Sequence, residues 1–168
     1  MTLDELTDAA DTIIVAKAVS FASKRRDGRI PVFTETTLEV EQYLKGQGAS
    51  TLTITLPGGS VGDVTVVAHG MPVMPKGASM VLFLSKQPPN LKGFTVVGLE
   101  LGAYRLVRKN KELWAVRGTA VEAIDTTSQA PASTAKLAPT AIRYADLELR
   151  IQNRVQTAAK AQTTTKSE

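Results

Sequence analysis

The fold is decided by three apolar-rich runs, which read VFTETTLEVEQYLKG (residues 32–46), STLTITLPGGSVGDVTVV (residues 50–67) and PKGASMVLFLSK (residues 75–86). The first two runs alternate between apolar and polar side chains, and they are rich in threonine and valine. A period of two in such residues predicts strands with one buried face. The third run is apolar at every position from Met80 to Leu84, which predicts a strand that is covered on both faces.

The alternation assigns a face to each side chain of the first two runs. Glu35, Glu39 and Glu41 share one face of the first run. Its other face carries the side chains that we expect to be buried: Val32, Thr34, Thr36, Leu38, Val40 and Leu44. The buried face of the second run carries three aliphatic residues: Leu52, Ile54 and Leu56. Glutamates along one strand face are typical of a solvated outer surface, so we expect no acid–base chemistry from them.

Further elements are predicted on either side of these runs. Thr2 and Glu5 have the spacing of a capping box, which predicts a short helix at about residues 3–10. TIIVAKAVSFAS (residues 12–23) predicts a strand that leads into a charged hairpin with an Asp-Gly turn. The remaining strands are expected in DVTVVA (residues 63–68), in residues 94–101 with a bend at glycine, and in a last hairpin over residues 104–116.

Seven or eight short strands with glycines at their corners predict a mainly β protein. We expect a small OB-like or otherwise closed β-barrel of antiparallel strands, and the alternative is a β-sandwich. Residues 1–122 would form the barrel with its N-terminal helix, and residues 123–139, which are small, polar and proline-containing, a flexible linker. Residues 140–161 would form an amphipathic helix, and residues 162–168 a disordered tail.

The expected C-terminal helix has one apolar face. Tyr144, Leu147, Ile151 and Val155 share it, and arginines and glutamates lie elsewhere. We expect this face to be covered, because burying apolar surface contributes about 25 cal/mol per Å². The helix is therefore predicted to dock on the barrel, or to associate with a second copy of the chain or with another protein.

Composition excludes several kinds of site. The chain has no cysteine, so disulfides, thiolate nucleophiles and thiolate metal ligands are absent. Its single histidine, His69, has no carboxylate at ligand spacing, so neither a metal site nor a Ser-His-Asp arrangement is predicted. PGGSVG (residues 57–62) precedes a strand and not a helix, so it predicts a turn and not a phosphate loop. We predict no enzymatic activity, no cofactor and no membrane span.

Two groups of basic residues form the predicted binding surface. The net charge is +4, and the basic excess is divided evenly along the chain, which disfavours a polyanion-binding tail. The surface consists of Arg25, Arg26 and Arg29 at one hairpin and Tyr104, Arg108, Lys109 and Trp114 at the other. Basic and aromatic side chains together can bind single-stranded nucleic acid. Charged turn tips that serve only solubility explain the same pattern, and we favour that explanation.

The order of several segments resembles a family of small exported bacterial proteins, most of which are uncharacterised. The resembling segments are ADTIIVAKAVS (10–20), TLEVEQYLKG (37–46), ITLPGGSVGD (54–63), GMPVMPKGASMVLFLSK (70–86) and VVGLELGAYRL (96–106). The resemblance covers about residues 3–117. It implies an exported protein, periplasmic or extracellular, and a signal peptide that precedes Thr2 in the natural gene and is removed. The acidic, polar start after Met1 is also compatible with a cytoplasmic protein.

A more distant resemblance concerns the order strand, charged hairpin, strand and Leu44-Lys45-Gly46. It is similar to the OB-type inhibitory domain of the tissue inhibitors of metalloproteases, which use an N-terminal cysteine to reach a catalytic zinc. This chain has no cysteine, so no inhibitory residue is carried over. The sequence therefore predicts an exported, non-enzymatic β-barrel module that binds another protein or an envelope component. The alternative is an OB-like binder of single-stranded nucleic acid.

Overall fold

The structure, a computed structural model, describes residues 1–117 and 141–164. The predicted linker (123–139) and the end of the predicted tail (165–168) lie outside the described residues. The elements in chain order are helix α1 (Leu3–Ala9), strands β1 (Thr12–Arg25), β2 (Val32–Lys45), β3 (Thr51–Pro57), β4 (Gly59–Val61), β5 (Val64–Val66), β6 (Ser79–Lys86) and β7 (Phe94–Val96), a 3₁₀ turn (Leu99–Gly102), strands β8 (Ala103–Lys109), β9 (Glu112–Arg117) and β10 (Ala141–Arg143), and helix α2 (Tyr144–Thr164).

Five strands close a barrel in the order β1-β2-β3-β7-β6, and β6 pairs back onto β1. Neighbouring strands are antiparallel except β3 and β7, which pair in parallel at Ile54 and Phe94. This connectivity is that of an OB-like barrel, so the predicted fold class is confirmed. Strands β8, β9 and β10 continue the sheet beyond β6, whereas β4 and β5 form a separate hairpin.

Two apolar cores lie on opposite sides of the barrel wall. In β1, Ile14 and Ala16 point into the inner core, and Ile13 and Val15 belong to the outer core beneath the helices. The run from Met80 to Leu84 in β6 is buried at every position, as predicted for a strand that is covered on both faces. The outer core therefore joins α1, α2 and the barrel into one packed unit.

A slip in the pairing of β1 with β2 moves Leu44 into the outer core. Val15 pairs with Gln42 and Ala16 pairs with Val40, so Glu41 is an extra residue in β2. Such a bulge reverses the face of the residues that follow it. Leu38 therefore fills the inner core while Leu44 lies in the outer one, and their predicted placement on one face is wrong.

The predicted strand over residues 94–101 is also wrong in its second half. Strand β7 ends at Val96, because Gly98 and Leu99 adopt left-handed φ angles of 67° and 59°. These angles lead the chain into a 3₁₀ turn before β8 begins. The hairpin between β8 and β9 follows the sequence, with Asn110 and Lys111 at positive φ as a tight two-residue turn requires.

Helix α1 is fixed at both ends by side chains. The Thr2 hydroxyl accepts from the Glu5 N–H, and the Glu5 carboxylate accepts from the Thr2 N–H at 2.6 Å, which is the predicted capping box. At the other end, the Lys45 ammonium donates to the carbonyls of Thr7 and Ala10 at 2.7 and 2.6 Å. These bonds satisfy helix carbonyls and hold α1 against the end of β2.

Helix α2 docks on the chain's own barrel. It begins at Tyr144, directly after a short strand that the sequence did not indicate, and it includes residues 162–164 of the predicted tail. Leu147 and Ile151 are fully buried in the outer core, and Tyr144 and Val155 pack against it. Arg154 donates two hydrogen bonds to the Asp8 carboxylate and thereby ties α2 to α1.

The Asp8→Asn variant is expected to be less stable than the parent protein at neutral pH and equally stable near about pH 2. The hydrogen bonds from Arg154 hold the pKa of Asp8 below its ordinary value. A carboxyl group with a depressed folded-state pKa stabilises the fold above its unfolded pKa, and this contribution disappears as the pH falls through the folded pKa. Urea unfolding across this range measures the difference, with Asp63→Asn as the control. A difference that persists at the acidic end would contradict this account of Asp8.

Candidate functional site

An uncharged groove, called here the mouth groove, opens at the end of the barrel where β1 and β2 meet in their hairpin. Its volume is about 350 Å³. None of its lining residues is charged, and six of them have large apolar side chains: Phe21, Leu56, Val66, Val67, Met71 and Met74. Methionine is flexible, and its sulfur is polarisable, so such a lining can adapt to different apolar ligands.

Phe21 faces the mouth groove because of another of the three slips in the pairing of β1 with β2. Ala18 pairs with Leu38 and Ser20 pairs with Thr37, so Val19 is an extra residue in β1. Beyond it, Phe21 lies opposite Thr36 and lines the groove. The side chain is 47% exposed, which leaves a large aromatic surface open to a ligand.

The β4–β5 hairpin is held over the barrel mouth by its glycines. The Gly58 N–H donates to the Val32 carbonyl at 2.9 Å, and the Thr34 hydroxyl donates to the Gly58 carbonyl at 2.8 Å. Gly59 has a φ of 129°, and a Cβ at that position would lie 2.4 Å from the Thr34 hydroxyl oxygen and 2.5 Å from that of Ser23. The predicted glycine turn is therefore also a close backbone approach, which forms one wall of the mouth groove.

Gly59→Ala is expected to lower the free energy of unfolding by on the order of 2–3 kcal/mol, because the new Cβ meets two hydroxyl groups and strains the backbone. Gly28→Ala is the matched control: its φ is 135°, and nothing lies within 4 Å of its Cβ position. Urea denaturation of both variants separates the steric contact from the backbone strain. Equal losses in the two variants would show that the close approach at Gly59 contributes nothing.

The mouth groove borders an unpaired strand edge. Within the described residues, β5 pairs with β4 alone. Just beyond β5, Val67 is 73% exposed, and Val73, which follows in the same connection to β6, is 77% exposed. Unpaired backbone groups beside exposed apolar side chains can add a strand from another chain.

The basic residues of the first predicted group lie at the tip of the β1–β2 hairpin. Arg25 ends β1, and Arg26 and Arg29 lie in the loop that follows. The Arg26 guanidinium donates to the Asn90 carbonyl, which joins this loop to the loop between β6 and β7 (residues 87–93). In OB-like barrels these two loops flank the face of β2 and β3, so the Arg26 contact links the two loops that border this face.

The second predicted group does not form one surface. Tyr104 is only 3% exposed, belongs to the outer core, and packs at 6.0 Å from the Phe83 ring, so its predicted surface role is corrected. Burial raises the pKa of its phenol. Trp114 is half-buried on the opposite face of β9, while Arg108 and Lys109 are exposed at the end of β8. Because side chains alternate between the two faces of a strand, Tyr104 and Trp114 lie on opposite faces of the sheet. The sequence-based prediction grouped them without considering this alternation.

The predicted association surface on α2 is occupied in this structure by the chain itself. Tyr144, Leu147, Ile151 and Val155 all pack in or against the outer core. Burial, with Glu148 nearby, raises the pKa of Tyr144 to about 12. A partner would have to displace α2 to reach these four side chains, so this predicted association surface is not open in the structure.

His69 is exposed in the segment between β5 and β6. Across residues 1–117 and 141–164, no three His, Cys, Asp or Glu side chains are grouped to hold a metal ion. In the same ranges, neither helix is long and apolar enough to cross a bilayer. No family model matches this chain, and no curated protein matches it in sequence.

Proposed function

We propose that this chain is an exported, non-enzymatic binding module that holds an extended apolar segment of another protein in the mouth groove. The observation that carries the proposal is the groove of about 350 Å³ with an uncharged lining, next to the unpaired edge of β5. Export is supported by the resemblance of residues 3–117 to a family of exported proteins.

An extended peptide suits this site better than a compact ligand. A strand added to the edge of β5 would satisfy backbone groups that otherwise face water, and its alternate side chains would enter the groove. Main-chain hydrogen bonds then supply affinity, and the groove selects the side chains. Because none of the lining residues is charged, a charged side chain would lose hydration there without gaining a partner.

The test compares two exposed apolar residues that differ in position. Val67 lines the groove and Leu149, which is 56% exposed, lies on α2. Extracts of the native host are captured on wild-type protein, on Val67→Asp and on Leu149→Asp, and the bound proteins are quantified. We expect a discrete partner that is retained by wild type and by Leu149→Asp, and that is reduced at least about tenfold by Val67→Asp, since about 1.4 kcal/mol of binding free energy corresponds to that factor. Equal recovery of the partner on Val67→Asp and on Leu149→Asp would refute the proposal.

A second candidate function is supported by the contact between Arg26 and Asn90, which joins two loops of the barrel beside a basic group. The chain would then bind single-stranded nucleic acid across β2 and β3. Titration with a fluorescent oligothymidylate at two salt concentrations tests it, because phosphate contacts give a steep salt dependence. Failure to bind at low salt would end this candidate.

A further inference from the structure

A second groove, called here the Trp114 groove, lies on the solvent face of β8, β9 and β10. Its volume is about 300 Å³, and Val107, Trp114 and Ala141 form its apolar floor together with Val116, which is itself only 1% exposed. The strand register explains this grouping, because Val107 pairs with Trp114, and Val116 pairs with Ala141. The opposite face of the same strands packs into the outer core through Tyr104 and Ala115. The groove is therefore separate from both the barrel interior and the mouth groove.

The rim of the Trp114 groove is cationic. Arg105 pairs with Val116 and Arg143 pairs with Trp114, so both arginines share the face of the groove, and Lys109 lines it directly. Glu112 is the acidic residue of this rim, and its carboxylate lies 3.7 Å from Arg143. In the part of the chain that the structure describes, no ion pair engages Arg105 or Lys109, so both can attract an anionic ligand.

We propose that the Trp114 groove binds an acidic, extended peptide segment that places one aromatic or branched apolar side chain on the floor beside Trp114. The floor supplies apolar contact, and the rim pairs with carboxylates on either side of the inserted residue. Strand β10 ends the sheet, so its outer edge is unpaired within the described residues. That edge can add the peptide as a further strand.

A peptide fits this groove better than a nucleic acid does. Binding of single strands usually relies on several aromatic side chains on which successive bases stack. Among the described residues that line this groove, Trp114 is the single aromatic one, because Tyr104 points into the outer core. The Arg143 guanidinium already lies over the indole, 5.7 Å from the ring centroid, where a base would have to stack.

The only tryptophan of the chain reports on this groove directly. A blocked peptide of eight residues, with one phenylalanine among glutamates, is titrated into the full-length protein while Trp114 emission is followed. We expect a saturable change that weakens as salt is added, and an affinity about fivefold lower in the Arg105→Gln, Lys109→Gln double variant, as two exposed ion pairs imply. Arg25→Gln, which removes an exposed arginine at the far hairpin, is the matched control. Unchanged thermal melting shows that the double variant folds.

Two further probes decide the chemistry. We expect two altered peptides to bind at least about tenfold more weakly: one with lysines in place of glutamates, and one with serine in place of phenylalanine. The first loses the attraction between opposite charges, and the second loses the free energy of burying an aromatic ring. The proposal is overturned if the first peptide gives no saturable change, if the lysine peptide binds equally well, or if oligothymidylate binds more tightly than the acidic peptide. These readouts involve no residue of the mouth groove, so this proposal and the proposed function can fail separately.

Discussion

Replacing Phe83 with alanine is expected to lower the free energy of unfolding by about 3–5 kcal/mol. The ring is fully buried in the outer core, where it packs at 6.0 Å from the Tyr104 ring with an angle of 50° between the planes. Its removal leaves a cavity between the barrel wall and the helices, which the rigid strands cannot fill. A loss of this size is a large part of the 5–15 kcal/mol that typically stabilises a domain. Urea denaturation followed by circular dichroism measures it.

Phe21→Ala is the control for this prediction. The same side chain is deleted, but it is 47% exposed at the rim of the mouth groove. We expect a loss below about 1 kcal/mol, because half of the ring gains nothing from burial. Similar losses in both variants would mean that the outer core does not join the helices to the barrel as described.

Ile151→Asp is expected to detach α2 from the barrel. Ile151 is fully buried in the outer core, so the variant loses apolar contact worth about 2–5 kcal/mol and would have to bury a carboxylate as well. The helix should leave the core instead, and limited proteolysis should then cleave within α2. Leu149→Asp introduces the same charge at a position that is 56% exposed. Its protease resistance should match that of wild type, and cleavage at equal rates in the two variants would contradict the docking of α2.

Much of the fold could be predicted from local sequence patterns. The alternation of apolar and polar side chains in residues 32–46 and 50–57 is visible in the sequence itself. The structure has β2 and β3 at these positions, as the alternation predicted. The position of Leu44 could not be predicted, because it depends on a pairing slip against Val15 and Ala16 that leaves no local signal. Strand β10 was missed for a related reason, since its three residues form a strand only by pairing with β9.

The candidate sites depended on long-range contacts even more strongly. Phe21, Leu56 and Met71 come from three separate segments, and only the closed barrel brings them to one groove. The basic hairpins and Trp114 were visible as residue types, but composition could not show that Tyr104 faces the core. Positive φ angles at Gly98 and Leu99 ended a strand that its apolar content favoured. The sequence predicts Gly98 as a bend within the strand, whereas the strand ends before this glycine.

The measurement that tests the proposed binding site most directly is site-specific photo-crosslinking in the native host. A photo-reactive amino acid is placed at Val67, beside the unpaired edge of β5, or at Leu149 on α2, and the linked partner residues are mapped by mass spectrometry. We predict that Val67 links to an uncharged apolar segment of one protein, and that Phe21→Asp abolishes the link while Leu149 gives none. No link from Val67, or the same partner from both positions, would contradict binding in the mouth groove.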